Sequence, residues 1–239
     1  DPNATPGNPN TSTAASPTHN YAEGNYVIKL TVTSSNGCVG DTTANANFSL
    51  RPQLAYASLP NVCENANPVS VATATVTNGS AGTGVYRGPG TDAAGNFNPT
   101  AAGFGTHTIW YVYTSNGGCK DSISQTILVN ARPRAKFTYP AGGCLDVNGL
   151  VQFTNGSTIG DGQTLSYLWN FGDPNATPGN PNTSTLLNPT HNYADGSYSI
   201  KLSVTTANGC VGDTTINASF SLRPRLAQIS CSLASTSVT

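Results

Sequence analysis

Charge is scarce in this chain. The 10 lysines and arginines and 11 aspartates and glutamates make up 9% of its 239 residues, against roughly 25% in an average soluble protein. So little charge cannot dress the solvent faces of a helical bundle. A formal net charge of -1 supplies no positive field, which excludes nucleic acid as a partner. No stretch approaches the roughly 18 consecutive apolar residues of a membrane helix, so direct membrane insertion is excluded as well. Methionine is absent, even at the start, and Asp1-Pro2-Asn3 lacks the basic and apolar parts of a signal peptide. The sequence therefore reads as an internal piece of a longer chain. Glutamate occurs only at Glu23 and Glu64, and histidine only at His19, His107 and His191. No serine or cysteine nucleophile motif accompanies these histidines, so they read as structural and the chain as no enzyme.

Thr, Ser, Asn, Gly and Pro take the place of charge, and they are arranged in a repeat. Asp1 to Ser58 recurs 172 positions later as Asp173 to Ser230, with about three-quarters of positions identical. Arg-Pro punctuates the chain at Arg51-Pro52, Arg132-Pro133 and Arg223-Pro224, each time after a strand-like run. These points divide it into the C-terminal part of one domain (1–52), a complete domain (53–133), a second complete domain (134–224) and the opening of another (225–239). Proline in such short connections limits bending far more than a Gly/Ser linker does, which predicts a stiff, elongated rod.

Apolar residues alternate with period two. Tyr198, Ile200, Leu202 and Val204 share one face, Ser199, Lys201 and Ser203 the other, and Tyr26, Ile28, Leu30 and Val32 repeat the pattern. Tyr167, Trp169 and Phe171 point one way, as do Ile109, Tyr111 and Tyr113, with Asn-Gly or Gly-Gly turns between the runs. Short antiparallel strands in domains of about 80 to 90 residues predict an all-β chain of tandem immunoglobulin-like sandwiches.

The cysteines, Cys38, Cys63, Cys119, Cys144, Cys210 and Cys231, include no Cys-x-x-Cys pair and no histidine at ligand spacing. Zinc is a poor fit, and no other cofactor is expected. Widely separated cysteines in strand-rich sequence point to disulfides formed outside the cytoplasm. The expected pairs are Cys63 with Cys119 and Cys144 with Cys210, leaving Cys38 and Cys231 to partners in neighbouring parts of the parent chain.

The run Tyr167-Leu168-Trp169-Asn170-Phe171-Gly172-Asp173, then Asn188-Pro189-Thr190-His191-Asn192-Tyr193, then Gly196-Ser197-Tyr198-Ser199-Ile200-Lys201-Leu202, resembles the PKD (polycystic kidney disease) repeat family over 134–224 and, truncated, over 1–52. Residues 53–133 resemble the immunoglobulin-like domains that alternate with PKD domains in giant surface proteins of the Bacteroidota, through Val62-Cys63-Glu64, Gly88-Pro89-Gly90, Phe97-Asn98-Pro99 and Gly105-Thr106-His107-Thr108-Ile109. Those arrays include gliding-motility adhesins. The resemblance implies type IX secretion and display as long filaments on the outer surface of the cell.

Several residues are candidates for a site. Asp161, Asp173 and Asp195 offer the hard oxygen ligands that calcium prefers, although Asp in such turns commonly caps the backbone instead. Trp110 alternates with Ile109 and Tyr111, so if those two face the core its indole faces solvent or a neighbouring domain, placed to stack on a sugar or seal a joint. Asp41-Thr42-Thr43, Asp121-Ser122-Ile123 and Asp213-Thr214-Thr215 each follow a cysteine closely and resemble the Asp-Ser/Thr-x acceptor of O-glycosylation in the Bacteroidota. Thr42, Ser122 and Thr214 are the predicted acceptors. The function expected is that of a structural and adhesive repeat, with neighbouring repeats and surface polysaccharide or other glycans as partners. The rival expectation is a carbohydrate-binding accessory segment of a secreted hydrolase.

Overall fold

The computed structural model describes residues 1–140, 142 and 144–224. It is built almost wholly of antiparallel strands and divides into two compact units, Asp1–Val129 and a second beginning at Asn130.

In the first unit, residues 24–48 form a hairpin of β1 (Gly24–Thr33) and β2 (Val39–Phe48), paired in register from Gly24↔Phe48 to Thr33↔Val39. Eight strands follow: β3 (Leu54–Tyr56), β4 (Val62–Cys63), β5 (Val69–Ser70), β6 (Ala74–Val76), β7 (Gly82–Arg87), β8 (Asn96–Phe97), β9 (Gly105–Ser115) and β10 (Lys120–Asn130). One helical turn, α1 (Pro99–Ala102), sits between β8 and β9, with the Asn98 side chain accepting from the Ala101 amide at its start. The main sheet has the order β4-β10-β9-β7, and the pairs β3-β6 and β5-β8 stand apart from it. Tyr56, Val71, Tyr86, Phe97, Ile109, Ile127 and Val129 form the core, supplied by alternate positions of the strands as the period-two pattern requires.

The second unit repeats the plan with β11 (Phe137–Thr138), β12 (Leu150–Gln152), β13 (Thr154–Asn155), β14 (Leu165–Asn170), β15 (Thr183–Ser184), β16 (Thr190–Asn192), β17 (Gly196–Thr206) and β18 (Val211–Phe220). Its main sheet runs β15-β14-β17-β18, faced by the pairs β11-β13 and β12-β16. Trp169, Phe153, Phe171, Ile200, Leu202 and Val204 are fully buried. The Trp169 indole, on the same face as Phe171, donates to the Leu186 carbonyl at 2.9 Å, which satisfies its one polar atom inside the core. Tandem immunoglobulin-like β-sandwiches are therefore the architecture of the chain.

Candidate functional site

The feature built most consistently in both units is a cysteine-bearing hairpin turn with the incoming chain segment laid against it. Three turns share one pattern of hydrogen bonds. In the first, Ser34 N donates to Cys38 O at 2.9 Å, Gly37 N to Ser34 O at 3.0 Å, and Cys38 N to Ser34 Oγ at 3.1 Å. Ser115 and Cys119 repeat this between β9 and β10, and Thr206 and Cys210 between β17 and β18. The glycine before each cysteine has φ near +80°: Gly37 at 79°, Gly118 at 86° and Gly209 at 80°. Only glycine adopts that conformation cheaply, so the Gly-Cys dipeptide follows from the turn geometry.

In the first unit, the Cys119 thiol donates to the Ser49 carbonyl at 3.6 Å. Arg51 Nη2 donates to Asp121 Oδ1 at 3.1 Å, Asn78 Nδ2 to Arg51 O at 2.8 Å, and Gln53 N to Asn78 Oδ1 at 3.3 Å. A Cβ on Gly117 would fall 1.6 Å from Ser49 Oγ, so the turn needs glycine there for the segment to approach. The Asp121 carboxyl is held below the usual carboxylate range, first by the Ser122 amide and then by Arg51. Both charged groups reach solvent, so the ion pair aligns the segment more than it stabilises the fold.

The second unit does the same with other residues. Asn208, in the turn before Cys210, donates through Nδ2 to Asn130 Oδ1 at 2.9 Å. A Cβ on Gly212 would fall 1.9 Å from the Pro133 carbonyl. Arg51-Pro52 and Arg132-Pro133 thus each lie along the cysteine turn of the domain that they open.

This geometry corrects the expected disulfides. Cys63 and Cys210 are each disulfide-bonded, whereas Cys38, Cys119 and Cys144 carry free thiols, so neither Cys63–Cys119 nor Cys144–Cys210 is made. Thr100 Oγ1, in α1, donates to Glu64 O at 2.7 Å, which ties Cys63 to the open end of the β9–β10 hairpin, where Gly105 pairs with Val129. Cys119 closes the other end. The intervening strand of 11 residues spans roughly 35 Å at about 3.3 Å per residue, while a disulfide needs Cα atoms within about 7 Å. Cys144 and Cys210 are separated in the same way. Leu145 bridges Leu222, beyond the last residue of β18, and Cys210 precedes its first. Cys231 lies outside the described residues, as does the predicted opening of a further domain at 225–239.

The predicted acceptors are not equivalent. Asp213 follows Cys210 by three residues and Asp121 follows Cys119 by two, and a shift of one residue turns a strand's side chains to the opposite face. Thr214 pairs with the fully buried Leu202 and is itself half-buried, facing inward. Thr42 pairs with Leu30 on the corresponding face, which is open in this copy. Ser122 pairs with Val112 and lies exposed on the outer face of the main sheet. Trp110 occupies that outer face too, 46% exposed, between Arg87 on β7 and Ser124 on β10.

Asp161, Asp173 and Asp195 bind separate parts of the chain. Asp161 accepts from Gln163 N and Nε2, Asp195 from the Leu222 amide, and Asp173 from Asn175 N at 2.9 Å. No three His, Cys, Asp or Glu side chains converge as a metal site among the described residues. Asp173 Oδ2 also meets His191 Nε2 at 3.0 Å. That pair is easily missed in the sequence, although the same spacing of 18 residues recurs at Asp1 and His19, 2.9 Å apart. His191 is 1% exposed and stacks on Phe171 with ring centroids 4.4 Å apart, too enclosed to reach a substrate. His107 hydrogen-bonds the Gly103 carbonyl at 2.8 Å. The joint contacts of Arg51 with Asp121 and of Asn78 with Arg51 were also unseen in the sequence; their one signal is the recurrence of Arg-Pro before each domain.

Fold and strand pattern define the class: β-sandwich modules in series. Residues 130–220 match the PKD domain family model, and that segment is a PKD domain. Among curated proteins, a microbial collagenase of Vibrio alginolyticus is 37% identical over 93 residues, which is 38% of this chain and 10% of that protein. Collagenase ColA of Bacillus cereus is 42% identical over 65 residues, 26% of this chain and 6% of that protein. The chain thus spans a tenth or less of the length of these relatives. The solved PKD1 domain of the Vibrio cholerae metalloprotease PrtV is 30% identical, with a TM-score of 0.31, and is covered over 98% of its length by 38% of this chain. The PKD1 domain of Vibrio anguillarum Epp is 27% identical, with a TM-score of 0.32, and is covered over 99% by 39% of this chain.

Proposed function

We propose that the chain is a structural and adhesive repeat segment of a long extracellular cell-surface filament. The observation that carries this reading is the joint. An Arg-Pro segment laid against a cysteine turn opens each of the two complete domains, which is the economy expected of a chain that stacks one unit many times. Neighbouring repeats of the same chain are then its principal partners. Surface polysaccharides are the proposed ligands, met weakly at Trp110 on the outer sheet face and multiplied by repetition along the filament. Secretion by the type IX system and a part in gliding motility belong to this reading through the resemblance of the alternating domains to giant surface proteins of the Bacteroidota.

The second reading is an accessory segment of a secreted hydrolase, favoured by the relatives named collagenase and metalloprotease. Sedimentation of the chain with insoluble polysaccharide, and separately with fibrillar collagen, tests the two together. Retention on polysaccharide that Trp110→Ala abolishes supports the adhesive repeat. Retention on collagen regardless of Trp110 supports the accessory segment and removes the first.

A further inference from the structure

Two of the cysteines left free among the described residues, Cys119 and Cys144, have a common address. In the complete PKD domain, Leu145 is inserted beside the outgoing Arg-Pro segment: its amide donates to Ser221 O at 2.8 Å, its carbonyl accepts from Arg223 N at 2.9 Å, and it bridges Leu222 in parallel. Cys144, exposed and free, is the next residue along the chain. Ser221 corresponds to Ser49 in the earlier copy, within the identical run Ser-Leu-Arg-Pro. That copy comprises the counterparts of 173–224 and so holds no counterpart of Leu145 or Cys144. At Ser49 the carbonyl receives the Cys119 thiol of the next domain at 3.6 Å.

One carbonyl position thus has two neighbours, seen separately in the two copies. In the complete domain it has Cys144 one residue from its hydrogen-bond donor. At the joint it has the thiol of the following domain's turn. Adjacent Cα atoms lie about 3.8 Å apart, so both cysteines fall close to the separation at which disulfides form. We propose that Cys144 of each PKD domain forms a disulfide with the residue equivalent to Cys119 in the immunoglobulin-like domain that follows it, a staple across the joint and not within a domain. The proposal deepens the filament reading, because such a bond transmits tension between neighbours beside the single linker. Two thiols are consumed and one S–S bond forms. With a disulfide oxidant such as oxidised glutathione, one thiolate displaces glutathione to give a mixed disulfide. The second thiolate then displaces the other, and two reduced glutathiones leave with the two protons.

The test is a chain carrying residues 1–224 followed by a second copy of residues 53–133, in which Arg223-Pro224 stands where Arg51-Pro52 stands in the present chain. After equilibration with a glutathione redox buffer, free thiols are alkylated and the chain is digested and mapped without reduction. The expected result is one linked peptide joining Cys144 to the second copy's Cys119, with both lost from the alkylated fraction. In the 239-residue chain, Cys119 and Cys144 remain fully alkylated. Cys144→Ser in the extended chain restores alkylation of the second Cys119. Full alkylation of both cysteines in the extended chain, with circular dichroism showing it folded, overturns the staple, as does Cys144 linked to any other cysteine. Neither result bears on polysaccharide retention, so the staple and the filament reading fail separately.

Discussion

Leu30 and Leu202 occupy the same position of the repeat, yet Leu202 is fully buried while Leu30 is 60% exposed. Val32 and Val204 differ likewise, at 59% and 0%. Local sequence is nearly the same in both copies, so the difference comes from what packs on the hairpin: β14 and the facing pairs cover β17–β18, whereas β1–β2 stands as a two-stranded sheet. Burial, and not strand propensity, separates the two.

Leu202→Ala is therefore expected to destabilise the second unit by about 2–5 kcal/mol, the usual range for a buried leucine truncated in a packed core. Leu30→Ala is expected to change stability by less than about 0.5 kcal/mol, as exposed positions do. Urea denaturation of the two variants checks the contrast, and equal effects would mean that the hairpins are covered alike.

Gly212 and Gly40 form a second internal comparison. An added Cβ at Gly212 meets backbone, the Pro133 carbonyl, at 1.9 Å, while one at Gly40 meets nothing within 4 Å. Backbone gives way only if the segment itself moves. Gly212→Ala should cost about 1–3 kcal/mol and speed hydrogen exchange at Asn130 and Arg132, whereas Gly40→Ala should be silent. Unchanged exchange in Gly212→Ala would show that the segment does not rest on β18.

Alkaline pH should weaken the first unit in a definite window. Burial, with a smaller contribution from Tyr86, pushes the Tyr56 phenol up to about 12, while an unfolded tyrosine titrates near about 10. Between these values the folded state keeps a proton that the unfolded state loses. Stability contributed by this group is thus complete below about pH 10 and is lost as pH rises towards about 12. Tyr193 is pushed up as well, by burial first and then by the Asp173 carboxylate. Tyr56→Phe should flatten the alkaline fall in the first unit's melting temperature, and an unaltered slope would place the cause elsewhere.

Ser122 and Thr214 test the glycan reading. Ser122 stands on the outer sheet face and Thr214 on the inner one, so material from the native source should carry added mass at Ser122 and none at Thr214. Peptide mass mapping reads both. A modified Thr214 would require β18 to be open, and a bare Ser122 removes the acceptor proposal.

Much of the fold was legible because two-residue periodicity has one cause. Trp169, Phe171, Ile200 and Leu202 fall at alternate positions of the chain, and all four are buried. Which cysteines cannot pair was not legible, because strand length sets which ends of a domain lie far apart, and only the placement of Cys63 and Cys144 at the ends away from the turns shows it. The His191–Asp173 contact depends on a loop folding back, which periodicity does not encode. The different settings of Ser122 and Thr214 were not legible for a smaller reason: one residue of difference in the Cys-to-Asp spacing exchanges inner and outer faces, and the resemblance between the motifs conceals that shift.

The most direct measurement is negative-stain electron microscopy of a chain carrying several tandem repeats. If the modules build a filament, the images show single rows of domain-sized beads whose length grows in proportion to the number of repeats. Compact clusters whose length does not follow repeat number would contradict the account.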